Sequence, residues 1–446
     1  MFSPPRPPRS AALLRALWSR KTLPFFLART ARRYGDLVQL GGGERTRFLL
    51  SHPDLVQQTL VANAGRWAKG VGLEKTKTIL GEGVLSSEGE LHRSRRRLLQ
   101  PLFAQSRLHF YADTIAECAL ETRATWRDGQ TIDMNAAMSK LALDIVTRSV
   151  FGTVVTRDAD RISAALDDAM RLFALWMTPA GDWVERIPSV RRRREVAKSE
   201  LDSVVFGLIE TKRREAKSTS GEDVLSVLLR ARDDDGAPLT DEAMRDEAMT
   251  LLLAGHETTA NALCFAWFFL ARHPQARAGL DAELQSVLNG RRATYTDLDA
   301  LRWTRAVLSE TMRLLPPAWV VGRRALEDVP LAWEGREFVV PRGATALVSP
   351  FVLGRDPRFW RAPRRFDPAR WMGEGFAPTK WSYIPFGAGA RACLAEGFAW
   401  MEATLALATL AQEFRAAQSG PLGLEPSVTL RPRGPLWMTL EAVVAP

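Results

Sequence analysis

Phe386-Gly-Ala-Gly-Ala-Arg-Ala-Cys393 decides how the rest of the chain is read. Glycines at 387 and 389 let the backbone turn tightly and approach a flat ligand closely. The run that follows, Phe398-Ala-Trp-Met-Glu-Ala-Thr-Leu-Ala-Leu-Ala-Thr-Leu410, reads as a long apolar helix. Cys393 is therefore placed near a helix N-terminus, where the dipole and unpaired N–H groups favour negative charge and so the thiolate. A lone cysteine is more often a buried apolar residue, so the octet as a whole carries the argument.

Outward from that loop, the chain has 446 residues and no Pro/Gly/Ser linker, charged tail or internal repeat, which predicts one domain over 1–446. Three cysteines, Cys118, Cys264 and Cys393, form no C-x-x-C pair. They predict neither a disulfide framework nor a zinc site, and a reducing, cytoplasmic setting. The formal charge is +10, with clusters at Arg93, Arg95, Arg96 and Arg97 and at Arg191 to Arg194. Nine lysines stand against 52 arginines, a bias read as compositional habit rather than a nucleic-acid surface. A basic face would still suit an acidic electron donor.

The start, Met1-Phe-Ser-Pro-Pro-Arg-Pro-Pro-Arg-Ser10, is proline-rich, and the apolar stretch Ala11 to Leu14 is too short for a signal or a membrane span. Ala248 to Ala271 is apolar and long enough, but His256 and Glu257 sit in its middle, where a charge is costly in lipid. A soluble protein with no membrane anchor is expected. Leu37-Val-Gln-Leu-Gly-Gly-Gly-Glu-Arg-Thr-Arg-Phe-Leu-Leu50 reads as a hairpin around a glycine-rich turn. Helical periodicity with polar breaks such as Asp233-Asp-Asp-Gly236 dominates from Pro53 to about Leu314, and strand character returns at Val329 to Trp333 and Phe338 to Pro341. The fold class expected is mainly α with a minor β region.

The octet resembles the haem-binding loop of the cytochrome P-450 superfamily: Phe, two residues, Gly, one residue, Arg, one residue, Cys. The resemblance implies that Cys393 is the proximal ligand of haem b, that Phe386 packs beside it and that Arg391 pairs with a haem propionate. It also implies that fold, a single domain with a long central helix over the haem. A thiolate ligand favours O–O cleavage of bound dioxygen. Ala395 stands where the family usually has glycine.

Three further stretches carry the resemblance. Ala254-Gly-His-Glu-Thr-Thr259 puts a glycine, an acid and two hydroxyls inside an apolar helix, at a cost to helix stability. Taken alone it reads as a hydrated kink in which a threonine bonds back to the preceding turn. It is also similar to the family's distal-helix motif, which makes Thr258 and Glu257 the acid–alcohol pair that supplies protons for dioxygen activation. Leu251, Ala254 and Thr258 share one helical face, so Leu251 and Ala254 are expected at the substrate, with His256 pointing elsewhere. Ser309-Glu-Thr-Met-Arg-Leu-Leu-Pro-Pro317 holds Glu310 and Arg313 at a spacing that ordinarily means a weak ion pair. It resembles the family's E-x-x-R motif, with Arg370 as third partner, and implies a structural role. Gly89-Glu-Leu-His92-Arg-Ser-Arg-Arg96 is similar to the helix that reaches the propionates, implicating His92 and Arg96, with Arg324 as a further candidate. Arg93 and Arg95 are read as a solvated basic face. Gly354 stands where the family often has histidine.

The resemblance implies a monooxygenase that hydroxylates or epoxidises a hydrophobic small molecule with O2. A terpenoid, carotenoid or fatty acid is favoured, and a polyketide-type secondary metabolite is the alternative. About fifty residues follow Cys393 and none forms a flavin or nicotinamide segment. Electrons are therefore expected from a separate ferredoxin or flavodoxin with its reductase, NAD(P)H acting only indirectly, on a monomeric enzyme. An oxygen-independent isomerase, a peroxide-using relative and a non-catalytic haem or ligand carrier are the competing classes, and none needs the acid–alcohol pair. Substrate contacts are expected from Trp67 to Leu85, around Phe173, Trp176 and Met177, at Trp319 and Val320, and at Leu436 in the turn Gly434-Pro-Leu436.

Overall fold

A computed structural model describes residues 3–7, 22–42, 46–152, 159–176, 181–215, 223–232, 236–418 and 420–443. The start 1–2, the apolar stretch 11–14, the hairpin turn 43–45, Met177 and the break 233–235 lie outside the described residues. The chain divides into two compact units.

The first unit combines Met1–Val71, Ser309–Cys393 and Gly423–Arg433. Its centre is a five-stranded sheet in the order Leu37–Leu40, Arg47–Leu50, Thr345–Val348, Val321–Ala325, Trp67–Lys69. The expected hairpin pairs antiparallel, Leu37 opposite Leu50 and Leu40 opposite Arg47. Arg47–Leu50 then runs parallel to Thr345–Val348, and the other pairings are antiparallel. Val329–Trp333 and Arg336–Val340 form a second hairpin. Its two-residue turn, Glu334-Gly335, has φ of 50° and 71°, the left-handed geometry whose twist matches the strands. Leu50, Trp67, Phe338, Val340 and Val348 build the core over these strands. Trp67–Lys69 escapes a reading for periodicity because three residues are too few to alternate.

The second unit, Gly72–Leu308, Leu394–Leu422 and Gly434–Pro446, is chiefly helical. Its axis is the helix Asp241–Arg272, most of whose side chains are buried. The Thr240 hydroxyl accepts the Ala243 N–H at 3.1 Å, and Asp241 and Glu242 occupy the first turn, so the helix start is capped and charge-compensated. No described helix is long and apolar enough to cross a membrane. The helix is continuous through Ala254-Gly255. The glycine has a packing reason: a Cβ at 255 would lie 2.9 Å from Val146 Cγ2 on the neighbouring helix Met134–Phe151. Helix Glu396–Ala411 lies against Leu108–Ala124, with Phe398 edge-on to Phe103 and Tyr111. Thr131–Asp133, Trp437–Ala442 and Phe414–Gln418 complete a three-stranded sheet.

Candidate active site

The loop 386–393 is shaped by its own backbone. Gly387 and Gly389 have φ of 74° and 72°, which a side chain would strain, and a Cβ at 389 would overlap the Leu60 carbonyl oxygen. The Cys393 N–H donates to the Phe386 carbonyl at 2.8 Å and closes the loop, leaving the cysteine side chain exposed. The other two cysteines are buried, and burial pushes the Cys118 thiol up to about 12 and Cys264 higher still. One accessible sulfur on a glycine cradle suits a single axial ligand. Among the described residues no group of three or more His, Cys, Asp or Glu could hold a metal. The single exposed thiol of Cys393 is a donor set that fits haem. Helix Glu396–Ala411 begins three residues beyond Cys393, and Ala395 lies at φ −102°, a backbone conformation that does not require glycine. Phe386 is half-buried. Arg391 donates to the Trp67 carbonyl at 2.8 Å, which fixes its guanidinium to the sheet edge. Arg324 alternates with the buried Arg323 and Ala325 and is half-buried on the opposite face of its strand.

In the same unit a buried Glu310–Arg313 pair centres an ion network. Glu310 accepts from Arg313 at 2.7 and 2.8 Å, from Arg370 at 2.9 Å, from the Trp371 indole at 3.0 Å and from the Asp367 N–H at 2.9 Å. Arg313 also donates to the Gly354, Pro363 and Arg365 carbonyls. Both side chains are 0% exposed, so the desolvation cost is met by near-complete hydrogen bonding rather than by one ion pair. A Cβ at Gly354 would overlap the Arg313 carbonyl, which leaves no room there for a larger residue.

On the long helix, Leu251 is buried, Ala254 is exposed and Thr258 is half-buried, along one face. The Thr258 hydroxyl donates to the Ala254 carbonyl at 2.7 Å, which leaves its oxygen free to accept. His256 points away, to the Ser139 hydroxyl at 2.8 Å, and burial lowers its pKa to about 4, so it is neutral. Thr259 donates to Glu402 on helix Glu396–Ala411 at 2.9 Å. Burial pushes Glu402 up to about 8, so the carboxyl is protonated at neutral pH. The sequence signal for Glu402 is an acid inside the apolar run 398–410.

The family model described as Cytochrome P450 matches residues 4–434. The chain belongs to the cytochrome P450 family. It is 38% identical over 431 residues to cyclooctatin synthase of Streptomyces melanosporofaciens, covering 95% of this chain and 90% of that protein. It is 34% identical over 411 residues to cyclooctat-9-en-7-ol 5-monooxygenase of the same organism, covering 90% and 86%. The crystal structure of the cytochrome P450DA heme domain superposes with a TM-score of 0.88 at 26% identity, covering 100% of this chain and 99% of that one. The protein is a P450 monooxygenase of mainly helical fold with small sheets.

Several other site residues of this P450 take specific places. On helix Gly89–Leu99, His92 is buried and Arg96 half-buried on one face. Arg93 is exposed and paired with Glu90. Arg95 departs from the solvated-face reading: it lies 3.5 Å from the fully buried Glu247, a partner distant in sequence. Trp319 is held by the fold around it. It is 2% exposed, its indole donates to the Ser427 carbonyl at 3.0 Å, and it anchors the Pro-Pro turn to the core. Leu436 is buried too, its backbone pinned to Asp133 and Met134 at 2.9 Å. Val320 is half-buried, while Phe173 and Trp176 pack in the core.

Proposed function

We propose that this P450 inserts one oxygen atom from O2 into a terpenoid, with Cys393 as the thiolate ligand of haem b. The exposed sulfur on the glycine loop carries the reading. The names of two relatives support the substrate class, since an -en-7-ol taking oxygen at another carbon is an olefinic hydrocarbon already part-hydroxylated. When bound, the haem supplies dioxygen activation and the thiolate promotes O–O cleavage. His92, Arg96, Arg324 and Arg391 are the residues that would hold its propionates, and Phe386 would pack beside the sulfur.

The chain's own residues then handle protons and orientation. Glu257 exchanges protons with solvent, and Thr258, whose hydrogen already donates to Ala254, offers lone pairs to a water at the reaction site. Leu251, Ala254 and Val320 present apolar surface to the substrate. The Glu310–Arg313–Arg370 network locks the segment that carries Cys393. Electrons come from a ferredoxin or flavodoxin with its reductase, a partner class supported by the net charge of +10. The enzyme acts as a single-domain, cytoplasmic monomer.

The reduced carbon-monoxide complex tests the ligand: Cys393→Ser should abolish the thiolate-type absorption, and an unchanged spectrum would remove the assignment. A Soret titration with terpenoids, carotenoids, fatty acids and polyketides tests the substrate class. A terpenoid should give the tightest binding, and turnover with O2 and an electron donor should add one oxygen. Conversion without donor or oxygen would instead favour an isomerase.

A further inference from the structure

Three consecutive charged residues near the start of the long helix, Arg245, Asp246 and Glu247, turn inward onto one short segment. Arg245 donates to the Ile79 carbonyl at 2.6 Å, Asp246 accepts the Glu82 N–H at 2.6 Å, and Glu247 accepts the Val84 N–H at 3.0 Å. Arg245 is also held by Asp202 of helix Pro188–Glu215 at 2.6 Å and by Asp246 at 2.9 Å. The Arg245 and Glu247 side chains are 5% and 0% exposed, a burial that is tolerable only when the charges are hydrogen-bonded. Helix capping does not require them, because Thr240 already serves that end.

The segment is built to lie flat on the helix. A Cβ at Gly81 would overlap the Asp246 carboxylate, and one at Gly83 would overlap the Thr250 hydroxyl. The Ser86 hydroxyl donates to the Gly81 carbonyl at 2.6 Å and closes the turn. Glu247, Leu251, Ala254 and Thr258 fall at i, i+4, i+7 and i+11, one continuous stripe. Val84, tied to Glu247, therefore stands at the end of the stripe that holds the substrate-facing residues.

We infer that Arg245, Asp246 and Glu247 are positioning residues for substrate selection: they lock the 79–84 segment across the end of the Leu251–Ala254–Thr258 stripe and set the room available beside it. This rests on the proposed placing of substrate and haem against that stripe. Displacing the segment should cost binding of a bulky ligand and leave a small one unaffected.

The test uses haem-loaded protein titrated through the Soret band with imidazole and 4-phenylimidazole, together with hydrogen exchange at the Glu82 and Val84 amides. Asp246→Ala, which removes the acceptor of both the Glu82 N–H and Arg245, should speed both amides and weaken 4-phenylimidazole about tenfold relative to imidazole. Gly83→Ala, which displaces the segment without removing a charge, should do the same. Asp246→Asn keeps an acceptor for Glu82 and should restore the exchange rate and the ratio. Unchanged exchange in Asp246→Ala and Gly83→Ala overturns the inference, as does faster exchange with an unaltered azole ratio. Exchange is read on the protein and the ratio on the haem. A failed haem reading would therefore appear separately, as wild-type protein that binds neither azole, and would overturn the inference as well.

Discussion

Glu402 shows how one buried atom sets a pH response. Its carboxyl is pushed from 4.5 to about 8 by burial, with the Thr259 hydroxyl bond opposing the shift. The folded state therefore holds the proton more tightly than the unfolded chain. The stability this contributes is full below pH 4.5 and is lost as pH rises to about 8. At about 1.36 kcal/mol per unit, the loss amounts to several kcal/mol. Thermal unfolding of Glu402→Gln against wild type from pH 5 to 9 should show the variant gaining relative stability as pH rises; parallel curves would mean that the carboxyl titrates normally. One position along the helix, Thr258 donates inward to Ala254 and keeps its lone pairs for an external donor. Thr258→Ala should leave haem uptake and substrate affinity intact while the fraction of electrons reaching product falls several-fold and hydrogen peroxide accumulates. Product per NAD(P)H equal to wild type would count against the proton role.

At the scale of elements, the decisive contacts are close approaches and closed networks. Gly255 lets the helices Asp241–Arg272 and Met134–Phe151 meet, with Val146 Cγ2 at 2.9 Å from the missing Cβ. Gly255→Ala should destabilise the fold by about 1–3 kcal/mol, the range for overpacking. Val146→Ala in the same chain should recover most of that loss in a denaturant melt. Non-recovery would place the strain elsewhere. Glu310 collects donors from Arg313, Arg370, Trp371 and Asp367 at one buried carboxylate. Glu310→Ala or Arg313→Ala leaves an uncompensated charge at a cost of roughly 3–5 kcal/mol. Both should give protein without haem, read as loss of the Soret band. Normal haem content in either would reduce the network to a dispensable contact.

The whole molecule carries a charge of +10, with 52 of its 61 basic residues arginine. Some of these arginines are paired locally, as where Arg193 meets Asp168 and Arg194 meets Glu185, which leaves the net excess of +10 unchanged. That excess should steer an acidic electron donor. Attraction between a basic enzyme and an acidic ferredoxin weakens as the Debye length falls from about 10 Å at 0.1 M salt to roughly 3 Å at 1 M. Stopped-flow reduction should slow across that range, and salt-independent rates would remove the electrostatic part of the proposal.

The sequence by itself determined the parts whose chemistry is local. The glycines of loop 386–393 announce backbone that only they adopt easily, the Glu310–Arg313 spacing is one helical turn, and the stripe Leu251–Ala254–Thr258 follows from helical periodicity. Tertiary structure alone decided the partners that lie far along the chain. It gave Gly255 its reason in Val146, took Arg95 out of solvent to Glu247, paired Thr259 with Glu402, and tied Trp319 to Ser427 and Leu436 to Asp133. Neighbours within a turn are dictated by the geometry of one element. Neighbours across the fold depend on which faces pack together, and that depends on every side chain competing for the same buried space.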